Sequence, residues 1–267
     1  MNMDRLDDRQ LEYCRKTIES AICSFVKESG AKGAVVAVSG GIDSAVVLSL
    51  AASVVDVHAL VMPEMDVTDK MDVKDAEVLA KSLKVPYSVI EIKGAVDSVV
   101  EAFPWVCFSS RGNKRLALAN IKPRLRMVFN YVAANLDSRV VLGTSNRTEL
   151  LLGYFTKFGD GGCDFEPIGA LYKTQIRQLA RYLEVPERII SKKPSAGLWP
   201  GQTDEGELGA NYDVIDEILH LLADKDSCVA DVAKELGVGE GVVEKMHCMM
   251  LKGRHKLTMP KVVELKL

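Results

Sequence analysis

With 267 residues, 48% hydrophobic and 27% charged, the chain can bury a full core and is not a disordered polypeptide. The length accommodates one large domain, or one domain with a small appendage, and excludes two full catalytic domains. A net charge of −3 argues against a dedicated nucleic-acid binder, and the longest nearly apolar stretch, residues 45–55, is too short to cross a bilayer.

The first residues, with Asp4, Arg5, Asp7, Asp8 and Arg9, lack the apolar centre of a secretion signal. Six cysteines (Cys14, Cys23, Cys107, Cys163, Cys228 and Cys248) stand at irregular spacings without a C-x-x-C pair, and read as reduced structural thiols. A soluble, cytoplasmic protein is the expectation. Residues 34–38 (AVVAV) form a β-branched run of one buried strand and lead through Ser39-Gly40-Gly41 into a helix over 45–55. A second strand over 58–62 stops at Pro63, 73–83 has helical spacing, and a third strand covers 87–92. A long helical region over 116–136 is interrupted or started at Pro123, and a fourth strand at 139–142 enters Gly143-Thr144-Ser145-Asn146 and another helix. After residue 163 the chain is loop-rich apart from a helix at 171–183, and the part from about 205 reads as three helices. Strands separated by helices predict an α/β fold: right-handed crossovers, a largely parallel sheet covered on both faces, and a helical C-terminal appendage. Ligands of such sheets sit at the carboxyl ends of the strands, where both glycine-bearing turns fall.

The first of these turns reads Ser39-Gly40-Gly41-Ile42-Asp43-Ser44. Glycines let backbone amides approach an anion, and the helix start supplies unpaired N–H groups with a favourable dipole. Ser39 and Ser44 add hydroxyls. Asp43 suits phosphate binding only if a divalent cation bridges it to phosphate oxygens; otherwise it is an ordinary first-turn residue. The second turn carries Glu149, a carboxylate on the same edge, although Asn146-x-x-Glu149 is equally a capping box. From residue 102 to 136 there is no Asp or Glu, whereas Arg111, Lys114, Arg115, Lys122, Arg124 and Arg126 all fall there, either as a solvated basic face or as an anion-binding patch. Asp204-x-x-Glu207 reads as another capping box, preceded by a loop with the position of a lid.

The S-G-G-x-D-S string resembles the pyrophosphate loop of the ATP pyrophosphatase group, whose members activate a substrate by adenylation. Later segments of the chain narrow the group: GTSNRTE from Gly143, GYFTKFGDGG from Gly153, then Asp164, Pro167, Leu171-Tyr172-Lys173-Thr174-Gln175, Lys193-Pro194-Ser195-Ala196-Gly197-Leu198 and Gln202-Thr203-Asp204-Glu205. That succession resembles the ammonia-dependent NAD synthetase family from about residue 34 to 256. The resemblance implies ATP-dependent amidation of deamido-NAD to NAD, AMP and pyrophosphate. It further implies that Ala37, Val38, Ser39, Gly40, Gly41, Ile42, Asp43, Ser44, Thr144, Lys173 and Ser195 hold ATP, and that Asp43 and Glu149 ligate Mg²⁺. Asp43, Glu149 and Lys173 would be the catalytic set. Arg124, Lys157, Asp164, His255 and Lys256 would bind deamido-NAD in a site shared across a homodimer interface. Two positions depart from the family's K-x-P-T-A-D-L segment: Ser195 keeps the hydroxyl of the usual Thr, but Gly197 removes a carboxylate.

Two rival readings remain. An RNA-modifying pyrophosphatase such as a tRNA thiolase shares the first turn, but paired cysteines are missing here. Residues 229–250 resemble a helix-turn-helix, yet the second helix carries Glu244 and little besides Lys245 to offer base edges, so an αα-hairpin explains it more cheaply. The synthetase segments fill residues 34–204 as an ATP-binding core and 205–267 as the appendage. The expectation is therefore one synthetase domain without a glutaminase, which uses ammonia directly or receives it from a separate protein.

Overall fold

Four short strands pair in parallel in the order β3–β2–β1–β4: β1 Ala34–Ala37, β2 Val57–Val61, β3 Tyr87–Val89 and β4 Val140–Leu142. The coordinates, a computed structural model, describe residues 6–65, 67–105, 114–195, 197, 199 and 203–264. Arg111, Cys107, Ala196, Leu198 and Gln202 of the expectations lie outside these residues, as does most of the loop read as a lid.

Alternation along the strands sorts the core into two layers. Ala34 and Val36 of β1, Val57, Ala59 and Val61 of β2, and Val140 and Leu142 of β4 face one layer. Val35, Leu60 and Val141 face the other. The first layer is covered by α1 (Asp8–Glu28), α2 (Ile42–Ala52), α3 (Lys70–Ser82), α8 (Lys173–Tyr182) and α9 (Glu187–Ile190). The second is covered by α4 (Lys93–Ala102) and α6 (Ile121–Asp137), which α5 (Lys114–Ala119) precedes. A parallel sheet buried on both faces is what unbroken apolar strands require.

The elements differ from expectation in places with identifiable causes. Helix α1 was not expected, although Asp7 and Gln10 form a reciprocal capping box and Leu11, Ile18, Ile22 and Val26 make its buried stripe. Helix α4 was not expected either, and buries only Val96. The region 116–136 divides at Asn120, and Pro123 is the third residue of α6, where no intrahelical N–H bond is lost. Strand β3 ends at Val89, because Ile92 already caps α4.

Among the described residues beyond 203 there are four α-helices rather than three: α10 (Asp204–Leu208), α11 (Tyr212–Leu219), α12 (Val229–Leu236) and α13 (Glu240–Gly253). A π-turn at His220–Asp224 extends α11, and a 3₁₀ turn at Arg254–Lys256 ends α13. They share a separate apolar cluster centred on Tyr212, Ile215, Ile218, Leu219, Val243 and Met246, which Leu152 and Tyr172 of the α/β part join. Gly237, at φ +64°, turns α12 into α13. The apolar spacing of 229–250 thus belongs to an αα-hairpin, and Lys245 donates to the Glu207 carbonyl (2.8 Å).

Where α13 ends, its backbone lies against that of Gly153, the left-handed cap of α7 (Arg147–Leu152). A Cβ on Gly253 would sit 2.8 Å from the Gly153 Cα, backbone against backbone, with no side chain able to yield. Gly253→Ala should therefore cost about 1–3 kcal/mol, seen as a lower urea midpoint at unchanged slope. Gly241→Ala, on the same helix but facing open space, should stay within about 0.5 kcal/mol of wild type.

Candidate active site

The sheet order reverses at β1, since β2 lies on one side of it and β4 on the other. The crevice at the carboxyl ends of β1 and β4 is the switch point where such sheets bind ligands. A cleft of about 810 Å³ opens there, and both glycine turns line it.

The first turn is shaped by close approach. Gly40 has φ +80°, and a Cβ there would fall 2.3 Å from the Asp72 carbonyl oxygen. Gly41 caps α2 without any side-chain bond, so the N–H groups of the first helical turn remain open to an anion. The two serines brace the turn from within. Ser39 N–H donates to Ser44 Oγ (3.2 Å), Ser44 Oγ donates to the Gly41 carbonyl (3.0 Å), and Gly41 N–H donates to Ser39 Oγ (3.2 Å). Ser44 is buried in this role rather than presented as a free donor.

At the centre lies Lys173, the first residue of α8, with only 3% of its side chain exposed. Its Nζ donates to Asp43 Oδ2 (2.5 Å) and lies 3.4 Å from Glu149 Oε1. Burial alone would lower its pKa, but Asp43 and Glu149 outweigh that and raise it, so the group remains an ammonium. Burial raises the Glu149 carboxyl well above the usual carboxylate range; the pull of Lys173 opposes this and Asp43 reinforces it. Glu149 also completes the capping box: Asn146 N–H donates to Glu149 Oε2 (3.2 Å) and Glu149 N–H to Asn146 Oδ1 (3.0 Å). The capping-box reading of Glu149 therefore holds, with its other oxygen turned toward Lys173. Asn146 uses its remaining amide on Asp43 Oδ1 (2.9 Å), which joins the two turns directly.

A second set of residues fixes this centre; Asp216 and Tyr212 were not singled out from sequence, and Asp204 and Glu207 were read only as a capping box. Asp216 of α11 is fully buried; its Oδ1 accepts the Thr148 hydroxyl (2.6 Å) and its Oδ2 the Thr174 N–H (2.8 Å). Thr148 Oγ1 in turn accepts Lys173 N–H (3.0 Å). Asp204 is not a cap. Thr203 holds that position without a side-chain bond, and the buried Asp204 carboxylate accepts the hydroxyls of Tyr212 (3.0 Å) and Tyr154 (3.4 Å). Glu207 takes the Tyr154 hydroxyl at 2.7 Å. On the opposite wall Asn130 is buried, and its side-chain oxygen has no partner among the described residues.

Of the residues expected to hold ATP, Ala37, Val38, Ser39, Gly41, Ile42, Asp43, Ser44, Thr144, Lys173 and Ser195 line the cleft, while Gly40 stands behind the turn. Ser195 Oγ accepts Gly197 N–H (3.1 Å), and Gly197 has φ +61°, a conformation that favours glycine. Arg124, Lys157, His255 and Lys256 also line the cleft. Lys157 donates to the carbonyls of His255 (2.6 Å) and Thr258 (3.3 Å), and Lys256 to those of Gly153 (2.7 Å) and Phe155 (2.8 Å). Asp164 lies outside the cleft, exposed at the sheet edge, where it accepts Val141 N–H (2.8 Å) and the Tyr131 hydroxyl (2.9 Å).

The basic stretch is not one open patch. Lys122 pairs with Glu64 at 2.6 Å, and Arg126 is half-buried, with its Nε donating to the Met62 carbonyl (3.0 Å). Lys114 and Arg115 lie over the rings of Trp105 and Trp199. Arg124 has no partner among the described residues and faces the cleft.

The NAD synthase family model matches residues 14–260. An NH(3)-dependent NAD(+) synthetase of Pyrococcus horikoshii is 45% identical, over 94% of this chain and 95% of the relative. Among solved structures, an NMN synthetase from Francisella tularensis is similar with a TM-score of 0.84 at 32% identity, covering 96% of this chain and 99% of that one. An NH3-dependent NAD synthetase from Campylobacter jejuni gives 0.78 at 32% identity, covering 95% and 99%. Since the match extends over nearly all of the α/β part and of the C-terminal helices, the chain belongs to the NAD synthase family.

Proposed function

We propose that the protein amidates the nicotinate carboxylate of deamido-NAD with ammonia at the expense of ATP, giving NAD, AMP and pyrophosphate. The observation that carries this is the buried Lys173 between Asp43 and Glu149, beside an uncapped helix start, in a chain whose relatives are NH(3)-dependent NAD(+) synthetases.

A carboxylate cannot be amidated directly, because oxide is a very poor leaving group. In the proposed reaction a carboxylate oxygen attacks the α-phosphorus of ATP and pyrophosphate departs. Ammonia then attacks the acyl carbon and AMP departs, the nitrogen losing a proton. The open amides of the first turn would bind the phosphates, and Thr144 and Ser195 would add hydroxyls. Lys173 would offset the charge that builds on the leaving pyrophosphate. Arg124, at the cleft wall and without a partner among the described residues, would hold the dinucleotide's phosphates with its planar fork. Lys157, His255 and Lys256 shape the wall on which it would lie.

Asp43 and Glu149 would hold Mg²⁺. The donor set fits: two carboxylates reach the same ammonium, and Mg²⁺ takes one or two carboxylates plus phosphate oxygens and waters. No group of three metal-ligating side chains occurs among the described residues, so the remaining ligands would come with the nucleotide. The ion would neutralise phosphate charge. All five described cysteines are free, which supports a reducing, cytoplasmic setting.

The likeness to an NMN synthetase favours a second reading, in which the substrate is nicotinic acid mononucleotide. Purified protein given ATP, Mg²⁺ and ammonium should turn over deamido-NAD with a kcat/KM about tenfold or more above that for the mononucleotide. The opposite preference would select the second reading, and pyrophosphate exchange that requires tRNA would overturn both. Glutamine in place of ammonium should give little product, and a separate glutaminase should restore it.

Asp43→Asn should keep the fold but lower deamido-NAD-dependent pyrophosphate exchange by about two orders of magnitude or more. Near-normal adenylate formation would remove the assigned metal role.

A homodimer is part of the proposal. On α6, Val128, Val132 and Leu136 form an exposed apolar stripe at fourfold spacing, with Leu116 of α5 also exposed. Asp164 borders that stripe through the Tyr131 hydroxyl, so a second copy seated there would meet it. Mixing Asp43→Asn with Asp164→Ala subunits should then restore roughly a quarter of wild-type activity, because half the dimers are mixed and each has one intact site. A fully active monomer in sedimentation and assay would refute the shared site.

A further inference from the structure

We infer that Lys192 is a positioning residue for the phosphate-binding turn, holding the Gly40–Gly41 peptide with its N–H toward the cleft. This role rests on the ATP-dependent reading above and gives a task to a residue that heads the K-x-P-T-A-D-L segment but stands outside the Asp43–Glu149–Lys173 cluster.

Lys192 follows α9 on the strap that leads to Ser195. Its Nζ donates to the Gly40 carbonyl (3.0 Å) and pairs with Asp72 and with Asp75 (3.1 Å) of α3. Asp75 is buried and also pairs with Arg188. The two cations and two carboxylates cancel, so the ammonium has little net charge to offer a phosphate. What remains is its grip on one backbone oxygen.

That grip matters because the peptide lies between two glycines. A trans peptide is planar and its C=O and N–H point in opposite directions. With the Gly40 oxygen held by Lys192, the Gly41 N–H points away from the ammonium, where it now donates to Ser39 Oγ (3.2 Å). Rotation of this peptide meets no Cβ at either residue, so sterics alone do not select its orientation. The flipped form would present a carbonyl oxygen to the phosphates instead of a donor. Gly40 is already pressed against the Asp72 backbone, and Lys192 closes the same junction from the strap. Loop, α3 and strap therefore meet at one ammonium.

The experiment compares wild type, Lys192→Met, Lys192→Arg and Asp72→Asn by calorimetric binding of ATP with Mg²⁺, steady-state kinetics and thermal melting. Lys192→Met should weaken ATP binding and raise its KM about tenfold. The KM for deamido-NAD should change less than about twofold. Lys192→Arg should recover part of the loss. Asp72→Asn separates positioning from direct contact: loosening the anchor should weaken ATP, whereas a lysine that contacts phosphate directly would be freed and bind ATP more tightly. Tighter binding in Asp72→Asn overturns the proposal. So does unchanged ATP binding in Lys192→Met, or an equal rise in both KM values with a lower melting temperature. A wild-type chain that binds no ATP at all overturns the proposed function and this role with it.

Discussion

An ammonium buried between two carboxylates organises the whole active edge. Lys173 lies at the start of α8, Asp43 in the first turn of α2 and Glu149 in the first turn of α7, so one ion cluster ties together three helix N-termini. Removing such a cation from water is costly, and it is tolerated only where opposite charges and hydrogen bonds surround it. Asn146 fixes Asp43, Thr148 fixes the Lys173 main chain, and Asp216 holds Thr148 from the far side. The three charged groups are thereby kept within a few ångströms of one another before any nucleotide arrives. In the proposed reaction Lys173 would face the departing pyrophosphate once a bound cation takes up the two carboxylates.

The C-terminal helices belong to this constraint rather than standing apart from it. Asp216 and Tyr212 come from α11 and Asp204 from α10, yet all three act at the α/β edge. Tyr212 places its ring 5.2 Å from the Lys173 ammonium, between the ion cluster and Asp204. The chain end is fastened differently. Lys157 and Lys256 each donate to main-chain carbonyls across the junction, and Gly153 meets Gly253 with no side chain between them.

How much of this could be read beforehand depended on the range of the interaction. The strands and the two turns are local patterns: β-branched runs of a few residues followed by glycine, and these were legible, with β3 trimmed by three residues. Helix α1 was equally local, but its apolar positions are diluted by charged neighbours such as Glu12, Arg15, Lys16 and Glu19, which hide the stripe unless it is counted. Helix α4 buries one residue and leaves almost no periodic signal. Among the site residues, Asp43 and Glu149 were visible through their turns. Asp204 looked like a cap because a carboxylate three residues before Glu207 fits that pattern equally well, whereas Thr203 holds the cap and the hydroxyls of Tyr154 and Tyr212 engage Asp204. Asp216 and Lys192 were illegible for a plainer reason. An acidic or basic residue with a solvent-facing appearance in sequence gives no sign of a partner 42 or 152 positions away. The same holds for Lys122 and Arg126, which composition placed in one basic patch and folding assigned to separate acceptors.

The strand order has a consequence for how the molecule acquires its activity. β1, β2 and β3 follow one another through single crossovers, so their pairing can build outward from a short stretch of chain. β4 must instead return past them to the free side of β1, and it carries Asn146 to Asp43 across 103 residues and Lys173 across 130. Contacts of such separation form late, because the loop must be closed before they reward it. A nascent or partly folded chain can therefore carry the glycines of the first turn and still lack both the Lys192 that holds that turn and the Lys173 ion cluster. The binding turn and the ion cluster thus depend on the same closure, and both are completed only once the last strand and the strap beyond it are docked.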